Sequence, residues 1–360
     1  MSAIEFRNIA MKIEQSPFKN VYWFARYLLD TDQYGSLGRS KETEMLKLIA
    51  LIEQFTADTQ FSDAEKFTVA KRTLLDEILQ LSNFKTKVHS KYENFCHCLD
   101  EELRDLNDVI AFCIAMKYVV APINRALQTI PSSDYEFSSK AAKSILDTYG
   151  REKAGLVISV WDRLGIRGCL NAERVAIVEA FTQLLDNISG LNIAHDTIDD
   201  NIIMTAFVQE FERRAGQKRK SRGGQSLESV TNFLFEYFKI KSSTRPTHFD
   251  QDIEVDKWFR CKDGWSIGIS CKRTLRERWK QLSQADRGTL SHFKIKEIWH
   301  LITFDSDLSD DKIVRLGEQR QVFYLPDDSP TYLKCAAHPG MQSYVRPLSR
   351  LIDDIKNNVD

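Results

Sequence analysis

The stretch from Asp252 to Gln281 reads DIEVDKWFRCKDGWSIGISCKRTLRERWKQ, and it leaves few folds open. Two short runs of β-formers flank Lys262-Asp263-Gly264, whose glycine can take the positive φ that a three-residue hairpin loop requires. In that register Cys261 pairs with Trp265, Asp256 lies opposite Ser270, and Glu254 lies opposite Lys272. Alternation along the strands then puts Asp252, Glu254, Asp256, Ser270 and Lys272 on one face. Ile253, Val255, Phe259, Ile267, Ile269 and Cys271 take the other. A two-residue loop would move Lys272 away from Asp256; the three-residue loop sorts apolar from polar residues cleanly. Acids crowded on cross-strand neighbours repel one another, and a divalent cation would relieve that repulsion while collecting oxygen ligands.

The rest of the chain sets bounds on what this hairpin serves. At 360 residues there is room for two domains of roughly 100 to 200 residues each. With 42% hydrophobic and 28% charged residues, the composition is that of an ordinary globular protein. No apolar run stands out as a membrane span and the N-terminus lacks a signal-peptide plan. The seven cysteines are scattered, as in a protein with reduced thiols, so a cytoplasmic location is expected. The formal charge of −1 argues against bulk attraction to nucleic acid, but its distribution is uneven. From Arg213 to Arg222 there are six basic residues and no acid; from Cys271 to Lys280 there are five and one. Two basic runs bracketing an acidic cluster suit contact with phosphates.

Residues 1 to 212 carry apolar residues at three- and four-residue spacing and read as helical throughout, with breaks at 34–38, 130–134 and 165–168. Ser62-Asp63 and Asn171-Ala172-Glu173 are candidate helix starts. Cys96-His97-Cys98 has no second Cys/His pair at zinc spacing and reads as ordinary helix side chains. The segment 163–175 could hold the turn of a helix-turn-helix. From Phe211 the basic, glycine-bearing run FERRAGQKRKSRGGQ reads as a linker or a phosphate-lying arm. Ser226 is the expected cap of a following helix that carries Glu228 near its start. After the hairpin, helix 275–288, strand IWHLITF, helix SDDKIVRLGEQR, strand QVFYLP and a terminal helix complete a mixed sheet with flanking helices.

These residues resemble the PD-(D/E)xK restriction endonucleases, most closely the branch of PspGI and the EcoRII catalytic domain, of CCGG type. Arg219 to Glu228 (RKSRGGQSLE) is similar to the basic lead-in that places a glutamate on the first helix of that core. Ser270-Cys271-Lys272 matches the variant in which serine or threonine replaces the acid of (D/E)xK. Arg276-Glu277-Arg278 begins four residues after the lysine, where these enzymes keep an Arg-acid-Arg triplet reading C·G pairs. The resemblance covers roughly residues 213–350 and leaves the first half unexplained; with the helical spacing of that half, the expectation is two domains, all-helical over 1–212 and an α/β nuclease domain with a central mixed sheet over 213–360. The resemblance implies Glu228, Asp256, Ser270 and Lys272 as catalytic, with Asp256 and Glu228 holding Mg²⁺. It implies Arg276, Glu277, Arg278, Arg219 and Arg222 as DNA contacts. It further implies a type II enzyme that cuts double-stranded DNA at a palindrome with C·G pairs in each half, leaving 5′-phosphate and 3′-hydroxyl ends. A homodimer and a companion methyltransferase would go with it. This chain departs from the pattern in two places. Ala285, beside Asp286, stands where the branch often has glutamate, and Asp256 lacks a preceding proline, which leaves Asp250 as a rival for its role. A partner-triggered or non-specific nuclease, and a DNA-binding protein on an inactive nuclease fold, remain open.

Overall fold

A computed structural model describes residues 3–82, 86–133, 135–191, 195–249, 254–276, 279–283 and 285–359. Two compact units emerge: Met1–Ile130 with Asn171–Gln217, and Pro131–Leu170 with Lys218–Asp360. Residues 131–170, which the sequence places in the helical half, thus pack in the second unit.

The first unit is helical, as its periodicity predicts. It contains α1 (Ala3–Gln15), α2 (Val21–Leu29), α3 (Leu37–Ser40), α4 (Glu42–Thr56), α5 (Asp63–Gln80), α6 (Lys87–Glu102), α7 (Leu106–Ile114) and α8 (Ala121–Thr129). Ser62 caps α5 as expected: its hydroxyl accepts from the Glu65 amide while the Glu65 carboxylate returns to the Ser62 amide. Helices α7 and α8 are joined by a π-helical turn, Ala115–Val120, into one rod. That rod, Leu106–Thr129, is 24 residues long and its most apolar 18-residue window has mean hydropathy 1.6, enough by length and composition to cross a membrane. The sequence reading missed it because Asp108, Lys117 and Arg125 interrupt the run. Of its most apolar window, 72% is buried, with Phe112, Met116 and Val119 in the core of this unit.

Three further helices follow: α9 (Tyr135–Tyr149), α10 (Ala154–Ser189) and α11 (Thr197–Tyr237). Two expectations fail here. No turn breaks the segment 163–175, because α10 runs through it, and Asn171 is a helix-interior residue rather than a cap. The basic run 213–222 is neither linker nor arm; it is the middle of α11, and Ser226 is buried inside that helix. Interior glycines cost a helix roughly 1 kcal/mol each. Burial and a pair within the helix offset that: Ala215 is fully buried, and the Arg213 Nε lies 2.9 Å from both oxygens of the buried Glu210, one turn back on α11.

In the second unit, β1 (Lys257–Arg260), β2 (Ser266–Lys272), β3 (Ile295–Ile302), β4 (Gln321–Leu325) and β5 (Val345–Pro347) form one sheet in that spatial order. The first pair is antiparallel and the remaining pairs are parallel. Helices α12 (Trp279–Leu282), α13 (Arg287–His292), α14 (Asp310–Gly317), α15 (Pro330–Ala337) and α16 (Leu351–Asn358) complete the unit. The single helix expected over 275–288 is therefore two short ones. Asp286 separates them, its carboxylate accepting from the Thr289 amide at 2.7 Å as the cap of α13. Helix α15 and strand β5 were not anticipated.

Alternation along the strands assigns the two faces of the sheet. Ile267, Ile269, Cys271, Trp299, Leu301, Val322 and Tyr324 pack with Trp161 of α10, Leu227, Val230 and Leu234 of α11, and Ile352 of α16. Trp258, Ile298, Ile302, Phe323 and Leu325 face the opposite way, onto Leu290, Ile313 and Cys335 of α13, α14 and α15. Both faces are covered, which is why the parallel strands read as nearly continuous apolar runs.

Candidate active site

The hairpin forms with the expected loop. Gly264 has φ +80°, its amide donates to the Cys261 carbonyl at 2.9 Å, and the Cys261 amide donates to the Trp265 carbonyl at 2.7 Å. The strand register also follows, from Arg260 opposite Ser266 to Lys257 opposite Ile269. Gly268 is needed opposite Trp258, since a Cβ there would lie 3.1 Å from the indole.

Before Lys257 the chain leaves the strand, and this corrects one part of the reading. Asp256 does not continue the ladder opposite Ser270; its carboxylate accepts the Cys271 amide at 2.6 Å, taking the place of a backbone carbonyl. Its own amide donates to the Ile269 carbonyl at 2.9 Å. This break reverses the alternation, so Val255 packs with Trp258 rather than with Ile267 and Ile269. The acid and the lysine nevertheless come together.

Lys272 ends β2 with its side chain only 11% exposed. Its Nζ lies 2.9 Å from Glu254 Oε2 and 3.8 Å from Asp256 Oδ2. Asp256 is 10% exposed and Glu254 is 63% exposed, so the inner acid is held while the outer one reaches from solvent. Glu228, on α11, belongs to the same electrostatic group. Burial pushes its carboxyl above the usual carboxylate range, the Asp256 charge pushes it further, and Lys272 opposes. Burial likewise raises Asp256, against the stabilising Cys271 amide and Lys272, with Glu254 adding repulsion. Two carboxyls that resist ionisation within one electrostatic group are short of positive charge.

Their donor set is all oxygen, the chemistry of a hard divalent cation. Among the described residues no group of three His, Cys, Asp or Glu side chains gathers at metal-ligand spacing. The protein thus offers a carboxylate pair, and a cation there would complete its shell with water and a phosphate, which is how Mg²⁺ is usually held. The residues fit Mg²⁺ on those terms.

Ser270 is 1% exposed and its hydroxyl has no partner among the described residues. The Cys271 thiol points to the other face, 3.6 Å from Thr231 Oγ1, and burial with the Asp256 charge pushes it up to about 12, so it is no nucleophile. Arg276 is exposed, in the left-handed region at φ +43°, with its amide donating to the Asp307 carboxylate. Glu277, Arg278 and Asp250 lie outside the described residues, as does Asp252. Arg219 is half-buried on α11. Arg222 is buried and donates to the Pro131 carbonyl at 3.2 Å, a tether within the unit. Asp286, spent on capping α13, is not brought to the carboxylate group. Cys96 and His97 behave as helix side chains, the thiol donating to the Leu75 carbonyl at 3.6 Å and the imidazole 3.6 Å from Glu101.

Two residues were undervalued from sequence. Glu254 is the nearer partner of Lys272, and its place on the acidic face was the signal. His300 sits fully buried in IWHLITF, where a lone polar residue inside an apolar strand marks a constrained position.

No known protein family matches the chain, and no curated protein does. Among solved structures it is similar to metal-depleted Ecl18kI in complex with uncleaved, modified DNA. The two share 16% identity over 66% of this chain and 82% of that one, with a TM-score of 0.46. A likeness of that size decides neither fold nor function.

Proposed function

We propose that the chain is a Mg²⁺-dependent, sequence-specific endonuclease of double-stranded DNA, built on the PD-(D/E)xK plan and of the type II restriction class. The observation that carries this reading is Lys272 at the end of β2, held between Glu254 and Asp256, with Glu228 near enough to feel both of those carboxylates and the lysine. A lysine with one nearly buried acid, Asp256, and one half-buried acid, Glu228, suits a scissile phosphate: the ammonium meets the phosphoryl oxygens, and the carboxylates hold a cation. Mg²⁺, when bound, supplies charge on the phosphoryl oxygen and lowers the pKa of its water. The chain's own residues do the rest. The Cys271 amide fixes one Asp256 oxygen, leaving the other to the cation. Lys272, shielded from bulk water, orients the attacking water and stabilises charge on the phosphate. Attack of the water oxygen on phosphorus with breakage of the P–O3′ bond, the 3′ oxygen leaving and taking up a proton, would leave 5′-phosphate and 3′-hydroxyl ends. Arg276, with Glu277 and Arg278, would read C·G pairs by forked contacts to guanine and acceptance from cytosine. A homodimer matches a palindromic site, and a cytoplasmic location with a companion methyltransferase would protect host DNA.

The test is incubation of the purified protein with unmethylated DNA of varied sequence and Mg²⁺, beside Lys272→Ala, with sequencing of the fragment ends. Discrete ends with one shared sequence, lost in the variant, support the reading. Intact DNA in both reactions removes it.

A second reading, a nuclease triggered by a bound effector, draws on one observation. The helical unit contains a cavity of about 440 Å³ beside the π-helical turn, lined by Ile52, Val109, Cys113 and Tyr118 with the Glu53–Lys117 pair at its wall. Cleavage appearing only after addition of a small molecule or cell extract would favour it.

A further inference from the structure

A polar row crosses three strands of the sheet beneath Lys272, on the face shared with Trp258, Ile298 and Phe323. Ser270 of β2 is paired in register with His300 of β3, and both point to that face. Gln321, at the start of β4, is fully buried, and its amide nitrogen donates to the Leu282 carbonyl of α12 at 2.7 Å. That bond settles the amide's orientation and leaves Gln321 Oε1 as an acceptor, 2.8 Å from His300 Nε2. His300 Nε2 therefore carries the hydrogen, and Nδ1 presents a lone pair. Neither His300 Nδ1 nor Ser270 Oγ has a partner among the described residues, although the two side chains are 0% and 1% exposed. A buried donor and a buried acceptor on paired residues of neighbouring strands each cost about 1–3 kcal/mol if left unmade.

We propose that His300 is a positioning residue for the nuclease site: its Nδ1 accepts the Ser270 hydroxyl through one bridging water, or directly after a turn of the serine side chain. The inference rests on the nuclease reading for its catalytic consequence, and on packing alone for the hydrogen bond. With its O–H committed as a hydrogen-bond donor toward His300, the Ser270 oxygen can only accept from other groups. On the face it shares with Lys272, two residues further along β2, it is then a fixed acceptor for the lysine ammonium or for a water at the site. The far end of the row is anchored on α12, the helix that follows Arg276, so the serine's orientation is set by a chain of bonds that runs across three strands to a helix on the same face. The bland account, a histidine buried only to fill space, leaves the Gln321 bond and the paired orphan atoms without purpose.

Two measurements on the full chain test this. The first is nitrogen-15 NMR of histidine-labelled protein at neutral pH. His300 is expected neutral, protonated on Nε2, with a hydrogen-bonded Nδ1 whose resonance moves in Ser270→Ala. An Nδ1-protonated ring, or a resonance indifferent to Ser270→Ala, overturns the proposal whether or not the protein cuts DNA. The second compares single-turnover cleavage. His300→Leu is expected to cleave about tenfold more slowly with DNA affinity unchanged. His300→Gln, whose amide offers one donor and one acceptor, is expected to restore the rate, and Ser270→Ala with His300→Leu to be no slower than Ser270→Ala. Equal rates in all His300 variants, or an equal loss in His300→Leu and His300→Gln, overturn the positioning role. Should His300→Leu fail to fold, the comparison of His300→Gln with Ser270→Ala carries the decision. Wild-type protein that cuts no DNA removes the catalytic consequence and the nuclease reading together, while the NMR result still decides the hydrogen bond.

Discussion

At the scale of the residue, charge and burial around β2 make separable predictions. Asp256 and Glu228 are both raised by burial and by carboxylate neighbours, so a divalent cation should relieve them. In a thermal melt at neutral pH, Mg²⁺ is expected to raise the midpoint of the wild-type chain and to have little effect on Asp256→Asn. Equal shifts in both proteins would place any Mg²⁺ elsewhere. His300 supplies a pH signature. Burial, with Lys272 adding, pushes it from 6.5 down to about 4, against the Gln321 bond. The folded state then binds fewer protons than the unfolded one in that window, so stability from this group is complete above pH 6.5 and is lost as pH falls toward 4. The loss is on the order of 3 kcal/mol for a shift of this size, at roughly 1.4 kcal/mol per pH unit. Denaturant unfolding between pH 7 and 4 should show that decline in wild type and a smaller one in His300→Gln.

At the scale of the element, α11 is the place where local chemistry and tertiary packing disagree most. A run of arginines, lysines and glycines reads as a linker, yet it lies inside a 41-residue helix. Gly216 has no atom within 4 Å of where a Cβ would stand, and it is a helix-interior residue. Gly216→Ala is therefore expected to stabilise the chain by about 0.5–1 kcal/mol, and Gly216→Pro to cost about 3 kcal/mol. A linker would leave both nearly neutral, so urea unfolding of the two variants decides between helix and arm. The hairpin gives the opposite case. Gly264 is at φ +80° with open space around it, so Gly264→Ala is expected to cost about 1 kcal/mol through backbone strain alone.

For the whole molecule, the prediction concerns assembly on DNA. A palindrome-cutting enzyme should sediment as a dimer when bound to its site, with both strands cut in one encounter. Analytical ultracentrifugation with a site-bearing duplex checks this, and a monomeric complex would detach the reading from type II cleavage. On the proposed reading binding should also weaken steeply with salt, because lysines and arginines would neutralise phosphates, and Lys272→Ala should retain that binding while losing cleavage.

What could be read from the sequence follows from how far each signal reaches along the chain. The hairpin loop, the register from Lys257 to Arg260, the helical first unit and the buried strands β3 and β4 all come from local rules: turn chemistry, alternation and helical spacing. Lys272 and Asp256 were legible as neighbours because a three-residue loop brings their strands together. The side-chain bond from Asp256 to the Cys271 amide was not legible, since it arises where the ladder breaks and packing of Val255 against Trp258 decides the turn of the chain. Continuity of α10 and α11 was hidden for a related reason: glycine and charge lower local helix preference, and only burial of Ala215, Arg222 and Ser226 reverses it. The row from Ser270 through His300 to Gln321 joins residues up to 51 positions apart, 270 to 321, on three parallel strands. Sequence determined that this chain would place an acid and a lysine at the end of one hairpin. Only the tertiary structure decided what lies beneath them, because the order of parallel strands is set by helices that cross over the sheet rather than by any residue's neighbours along the chain.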